Sequence, residues 1–206
     1  MPGSPFRAIA SGVARARNAA SIHPIGIHML PIILKYGLIA GVVVGAALLG
    51  VSLAYGGQPP PDWGMAAGFA SMLLALSAVF VGIRHHRERA GGGVIRFWPA
   101  FGLGLGISLV ASVVYVLAWE LSMVLVGGDM AAVFAEQMIA RAEAKGLDGE
   151  ALARAVGQAR EFEAMYRNPL LRMPMTFVEI FPVGVLVSLV SALVLRNPRV
   201  LATARR

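Results

Sequence analysis

Cysteine is absent from the 206 residues, and only 14% of them are charged. Without cysteine there is no disulfide framework, no thiolate chemistry and no cysteine-based metal centre. The scarcity of charge excludes more. Soluble domains carry about 25% charged and roughly 45–50% apolar residues, whereas this chain is 57% apolar with a mean hydropathy of +0.71. A water-soluble domain of this length cannot bury so much apolar surface, which argues against a soluble enzyme and for an integral membrane protein. Acids are scarce as well, eleven against eighteen Lys and Arg, for a net charge of +7. That excess does not point to nucleic acid, because the basic residues are scattered between apolar stretches rather than gathered in a stripe with stacking aromatics. Catalytic signatures are missing too. The chain has no serine nucleophile elbow and no HExxH pair. Gly91-Gly92-Gly93 lacks the strand before it and the Lys-Ser/Thr after it that a phosphate loop needs, so it reads as a flexible joint.

What is present is four apolar stretches, each able to cross about 30 Å of hydrocarbon, which takes roughly 20 helical residues. They run over about 36–55, 64–83, 99–126 and 175–195. Their apolarity is continuous rather than alternating, which excludes a membrane β-barrel. The chain thus divides into a basic arm (1–30), a single membrane domain (31–197) and a basic tail (198–206). For the arm two readings stand open: a disordered or surface-lying basic segment, or an upstream extension with the true start at Met29.

Lys and Arg placement sets the orientation. Twelve basic residues fall before the first span (Arg7, Arg15, Arg17, Lys35), in the connection between the second and third spans (Arg84, Arg87, Arg89, Arg96) and after the fourth (Arg196, Arg199, Arg205, Arg206), opposed only by Glu88. The other side carries Asp62 and the segment Asp129–Arg172, with six basic and seven acidic residues. Both termini are therefore expected in the cytoplasm. Tyr36 and Trp98 then fall at the inner boundary and Tyr55, Trp63 and Trp119 near the outer one, where interfacial rings settle. The segment 129–173 reads as a helical hairpin on the outer face. Asp129 is placed to cap its first helix and Gly146 to end it; Asp148 opens a second helix, which Asn168-Pro169 stops. Its role is either a packed connector or a docking surface for a partner.

The chain also resembles a bacterial membrane family, domain of unknown function forty-one ninety-nine. The likeness rests on LKYGLIAG (Leu34–Gly41), FASMLLALSAVFVGIRHHRE (Phe69–Glu88) and GGGVIRFWPAFGLG (Gly91–Gly104), then on SLVASVVYVLAWEL (Ser108–Leu121), YRNP (Tyr166–Pro169) and EIFPVGVLVSLVSALVLR (Glu179–Arg196). It covers about Leu30 to Asn197 and departs at the basic arm. It implies a four-helix inner-membrane protein and adds no activity.

Small residues recur every four positions: Gly37, Gly41 and Gly45; Gly64 and Gly68; Gly102 and Gly106; Gly184, Ser188 and Ala192. Such faces let helices approach closely in lipid, either within the chain or between copies. Glu120 and Glu179 are the ionisable groups inside spans, each costing about 2.5–3.5 kcal/mol on insertion scales. Glu120 lies 21 residues beyond Pro99, about 32 Å along a helix, and Glu179 about one turn into the fourth span, so both are expected near the outer boundary. Close together they would share a proton or bind a cation; otherwise they are solvated or paired with Arg172 or a loop base. Pro182 frees the carbonyl of Val178 beside Glu179, which either builds an ion site or simply bends the helix for packing. The RHHRER run reads as a topology determinant and anionic-lipid contact through Arg84, Arg87 and Arg89, since adjacent histidines point apart and no acid framework completes a metal site.

These readings converge on an all-α integral membrane protein with four transmembrane helices and an extracytoplasmic hairpin between the third and fourth. The expected role is non-enzymatic, a scaffold or assembly protein of a bacterial inner membrane with no cofactor, no metal and no catalytic residue. Its expected partners are the lipid bilayer and either a membrane protein or further copies of itself. The alternative is a small oligomeric transporter or channel using Glu120, Glu179 and the Pro182 bend as an ion or proton site.

Overall fold

A computed structural model describes residues 25–56, 63–89, 92–197 and 200. Among the described residues every element is a helix: α1 (Ile25–Ala54), α2 (Trp63–Arg89), α3 (Phe97–Val126), α4 (Met130–Ala144), α5 (Gly149–Arg167) and α6 (Pro169–Leu195). The arm up to residue 24, the loop around Asp62 and nearly all of the basic tail lie outside them, as do the surroundings of Gly64. The chain divides into two compact units, Met1–Pro31 and Ile32–Arg206. Of the first, the described part is the opening of α1, with Pro31 in helical conformation. The second holds the rest of α1 and all of α2 to α6.

Among the described residues, four helices carry stretches long and apolar enough to cross a membrane: Met29–Ala54, Gly68–Arg89, Phe97–Val126 and Pro169–Leu195. Their outward faces are greasy. Leu74 is 73% exposed, Val124 78% and Val178 65%, a pattern that water penalises and lipid does not. Around Val44, Met72, Ala75, Tyr115 and Ile180 all four long helices meet in one apolar cluster.

The contacts between these helices depend on missing side chains. Gly37, Gly41 and Gly45 of α1 lie against Val110, Val114 and Ala118 of α3, four-residue steps matched on both helices. An added Cβ would sit 2.6 Å from Val110 Cβ, 2.5 Å from Val114 Cβ and 2.8 Å from Ala118 Cβ. On the other side of α3, Gly104 faces Ser188 and Gly184 faces Ser108, with hypothetical Cβ distances of 2.8 Å and 2.7 Å. Ser108 Oγ donates to the Gly184 carbonyl at 3.1 Å and lies 3.2 Å from Ser188 Oγ, a polar seam buried between α3 and α6. Ala192 continues that buried face of α6. Gly106 receives the tip of Ile33. Gly68 and Gly102, by contrast, face open space.

Between α3 and α6 the chain makes its hairpin. Gly127 and Gly128 take φ of 69° and 75°, left-handed values that cost a residue with a Cβ. Asp129 then caps α4, its side chain accepting from Ala132 N–H at 3.2 Å. Gly146, at φ 74°, closes α4 as its N–H and that of Leu147 turn back to the carbonyls of Glu143 and Ala142. Asp148 stands at the N-cap of α5 without a side-chain capping bond. Asn168 serves two helices, donating its N–H to the Met165 carbonyl at the end of α5 and accepting from Leu170 N–H at the start of α6.

Helix boundaries differ from expectation: α1 begins at Ile25 rather than about 36, and α2 runs on to Arg89 rather than about 83. The fourth long helix begins at Pro169, not at 175, so the hairpin ends at Arg167. Asn168 and Pro169 restart the helix at once, because Pro at the first helical position has no N–H to waste and a preset φ. The polar residue that hydropathy keeps out of the span, Arg172, enters the helix with its charge matched.

Candidate functional site

The match for Arg172 is Glu120. Glu120 sits toward the C-terminal end of α3, and Arg172 is the fourth residue of α6, buried at 8% exposure. Arg172 Nε donates to Glu120 Oε1 at 2.8 Å, and Nη2 donates to Oε2, making the planar two-pronged contact that a guanidinium forms with a carboxylate. A third donor, Nη1, reaches the Tyr166 carbonyl at 3.1 Å. The guanidinium also lies 5.7 Å from the Tyr166 ring centroid, within cation–π range. Thr176 Oγ1 donates to the Arg172 carbonyl at 3.2 Å. One side chain thus joins α3, the end of α5 and the start of α6.

Tyr166 carries the junction into the hairpin. Its ring stacks on Phe162 at 5.2 Å and meets Phe134 edge-on at 5.5 Å, while Phe134 stacks on Trp119 of α3 at 6.3 Å. Burial pushes the Tyr166 phenol up to about 12, against the opposing pull of Trp119 and Arg172. Below this aromatic column runs a chain of charges. Arg167 bonds to Asp129 and, at 2.7 Å, to Glu163. Arg160 reaches Glu163 at 2.9 Å and Glu136 at 3.1 Å. Glu163 is buried between the two arginines. The Arg167 guanidinium, then the Ala132 N–H, hold the Asp129 carboxyl below its ordinary 3.8.

Glu179 lies further along α6, within electrostatic reach of Tyr115 and Tyr166. It is exposed on α6 ten residues from Pro169, about 15 Å along the axis, and among the described residues it makes no ion pair. No interaction joins it to Glu120, whose two oxygens are both taken by Arg172. α6 runs unbroken through Pro182, which is exposed. No group of three or more His, Asp or Glu among the described residues is placed to hold a metal.

Arg87 overturns its expected role as a lipid contact. It is 1% exposed, and its Nη1 donates to the carbonyls of Leu195 at 3.3 Å and Val200 at 3.1 Å. The last carbonyls of a helix have no partner within it and attract a cation, so the guanidinium turns inward to the end of α6. Arg84 pairs with Glu88 at 2.8 Å, and Arg89 is exposed.

The sequence offered Arg172 only as one option for Glu120, carried Tyr166 and Arg167 only within the YRNP likeness, and gave no role to Glu163 or Arg160. The available signal was an acid nearly two turns before the end of one span and a base one turn after an Asn-Pro restart.

Four apolar membrane-length helices, with a short amphipathic pair inserted before the last, define an all-helical multi-pass membrane protein. The chain belongs to the family described as Protein of unknown function (DUF4199), whose match covers residues 35–197, from Lys35 in α1 to just past α6. No curated protein and no solved structure matches it.

Proposed function

We propose that this protein is a non-enzymatic accessory, a scaffold or assembly factor of a bacterial inner membrane. On this reading both termini and the α2–α3 link lie in the cytoplasm, following the excess of Lys and Arg on that side, and the α4–α5 hairpin lies outside. The observation that carries the proposal is the Glu120–Arg172–Tyr166 junction, which clamps the hairpin to the membrane helices from three directions. Charges that could have lined a path through the bilayer are spent on structure instead: Glu120 on Arg172, Arg87 on helix-end carbonyls. Carriers and channels need an ionisable or polar route, whereas a docking protein needs a fixed surface.

The test is purification from native membranes in mild detergent, read by native mass and protein identification. A stoichiometric partner that is lost on reversing the exposed hairpin charges Arg141 and Glu161, with thermal stability retained, supports the proposal. A clean homo-oligomer without a partner contradicts it. Phosphatase fusions at Gly146 and at the C-terminus check orientation, with activity expected only at Gly146.

A second reading, a small oligomeric transporter or channel, draws on Glu179, the exposed carboxylate within a span. Ion flux in liposomes that disappears in Glu179→Gln favours it.

A further inference from the structure

The outer faces of α1 and α2 leave an apolar groove between them. It has a volume of about 280 Å³ and is walled by Ile39 and Val43 of α1 and by Leu74, Ala78 and Val81 of α2. Leu74, Ala78, Val81 and His85 fall at steps of four, three and four residues, the spacing of one helix face. The groove face of α2 therefore continues past the apolar stretch into His85 and, one turn further, the exposed Arg89.

Tyr36 closes the groove at that end. Its ring crosses onto α2 over Gly82, where an added Cβ would meet Tyr36 Cγ at 3.1 Å. The Tyr36 and His85 rings lie 5.7 Å apart, and Lys35 Nζ stands 5.8 Å from the Tyr36 centroid. A cation, a phenol and an imidazole are thus gathered where the apolar walls stop. The nearby acid, Glu88, is paired with Arg84 and also feels His85, so among the described residues one carboxylate faces Lys35, Arg84 and Arg89 and positive charge is in excess at this end.

Apolar walls alone take any lipid tail, and cations alone take any anion. Their juxtaposition selects a molecule with both parts. We propose that this groove is a binding site for an anionic phospholipid of the surrounding bilayer. One acyl chain lies between Ile39 and Val43 on one side and Leu74 and Val81 on the other, and the phosphate is received by Lys35, His85 and Arg89. From Val43 to Tyr36 the groove follows α1 for about 10 Å, and basic pockets between membrane helices are a recurrent way of holding such headgroups. This inference is independent of the hairpin and of the scaffold reading.

The test uses the full chain, delipidated in detergent, with thermal unfolding followed in added phosphatidylglycerol or phosphatidylcholine. At lipid about a hundredfold above its dissociation constant, the anionic lipid raises Tm by about 5 °C or more beyond the zwitterionic one. The excess disappears in Lys35→Gln/His85→Gln and shrinks in Arg89→Gln, an exposed position whose loss leaves packing intact. Ala78→Phe, which fills the groove while keeping every cation, also removes it. Equal shifts from both lipids, or an undiminished excess in Arg89→Gln and the double variant, overturn the proposal. Soluble glycerol phosphate is expected to give no shift; one as large as the lipid's would assign the cluster to free phosphate and refute the lipid.

Discussion

In the membrane part, α1 meets α3 through Gly37, Gly41 and Gly45, and α3 meets α6 through Ser108, Gly184 and Ser188. In the hairpin, α4 meets α5 through Arg160 with Glu136 and through the rings of Phe134, Phe162 and Tyr166. The first set brings backbones together by omitting side chains; the second holds them with long charged and aromatic ones. The difference follows the solvent. Lipid offers no hydrophobic reward for burying Leu against Leu, so close packing and a few internal hydrogen bonds must hold the helices. Where water is at hand, charges are cheap to keep, and a network of them fixes orientation although each exposed pair is worth little. Glu120–Arg172 sits where the two regimes meet and combines a long charged pair with burial.

That comparison is open to breakage, beginning at the junction. Arg172→Met strands Glu120 in a partly buried site and is expected to lower unfolding stability by about 3 kcal/mol, read by denaturant titration in detergent. Within the membrane part, Gly41→Leu drives a side chain into Val114 and is expected to cost roughly 2 kcal/mol. Gly68→Leu, at a glycine facing open space, is expected to stay within about 0.5 kcal/mol. Equal losses at the two glycines would mean that spacing rather than contact governs these helices.

Two smaller effects sharpen the contrast. Ser108→Ala removes a buried bond between helices and should cost about 0.6 kcal/mol, the usual worth of such bonds in membrane proteins. The hairpin should respond to acid through Asp129. Asp129 is held below its ordinary 3.8, so its contribution to stability is fully present above that pH. It is lost as the pH falls through the folded-state value. Amide exchange in α4 should therefore quicken in that acid range in the wild type, and Asp129→Asn should abolish this part of the response.

Much of the architecture was readable from the chain because membrane spans depend on local composition. The apolar runs, the cap at Asp129, the turn at Gly146 and the Asn168-Pro169 stop all announce themselves within a few residues. The junction does not, because Glu120 and Arg172 are 52 residues apart and hydropathy assigns one to a span and the other to a loop. Arg87 misleads for a related reason. It sits in a basic run that resembles a surface, yet its partners are backbone carbonyls 108 and 113 residues away, which leave no mark on the sequence. Glycine spacing was informative about closeness but not about facing. Gly102 and Gly106 carry the four-residue period, while Gly104 between them makes the tight contact with Ser188.

One ion pair ties α3 to α6 at the junction on which the hairpin rests, and a double-mutant cycle on Glu120→Gln and Arg172→Met reads that coupling. A coupling of about 2 kcal/mol is expected, with the double variant much less destabilised than the sum of the two singles. Losses that add to within about 0.5 kcal/mol would show that the two side chains do not act as a pair and would contradict it.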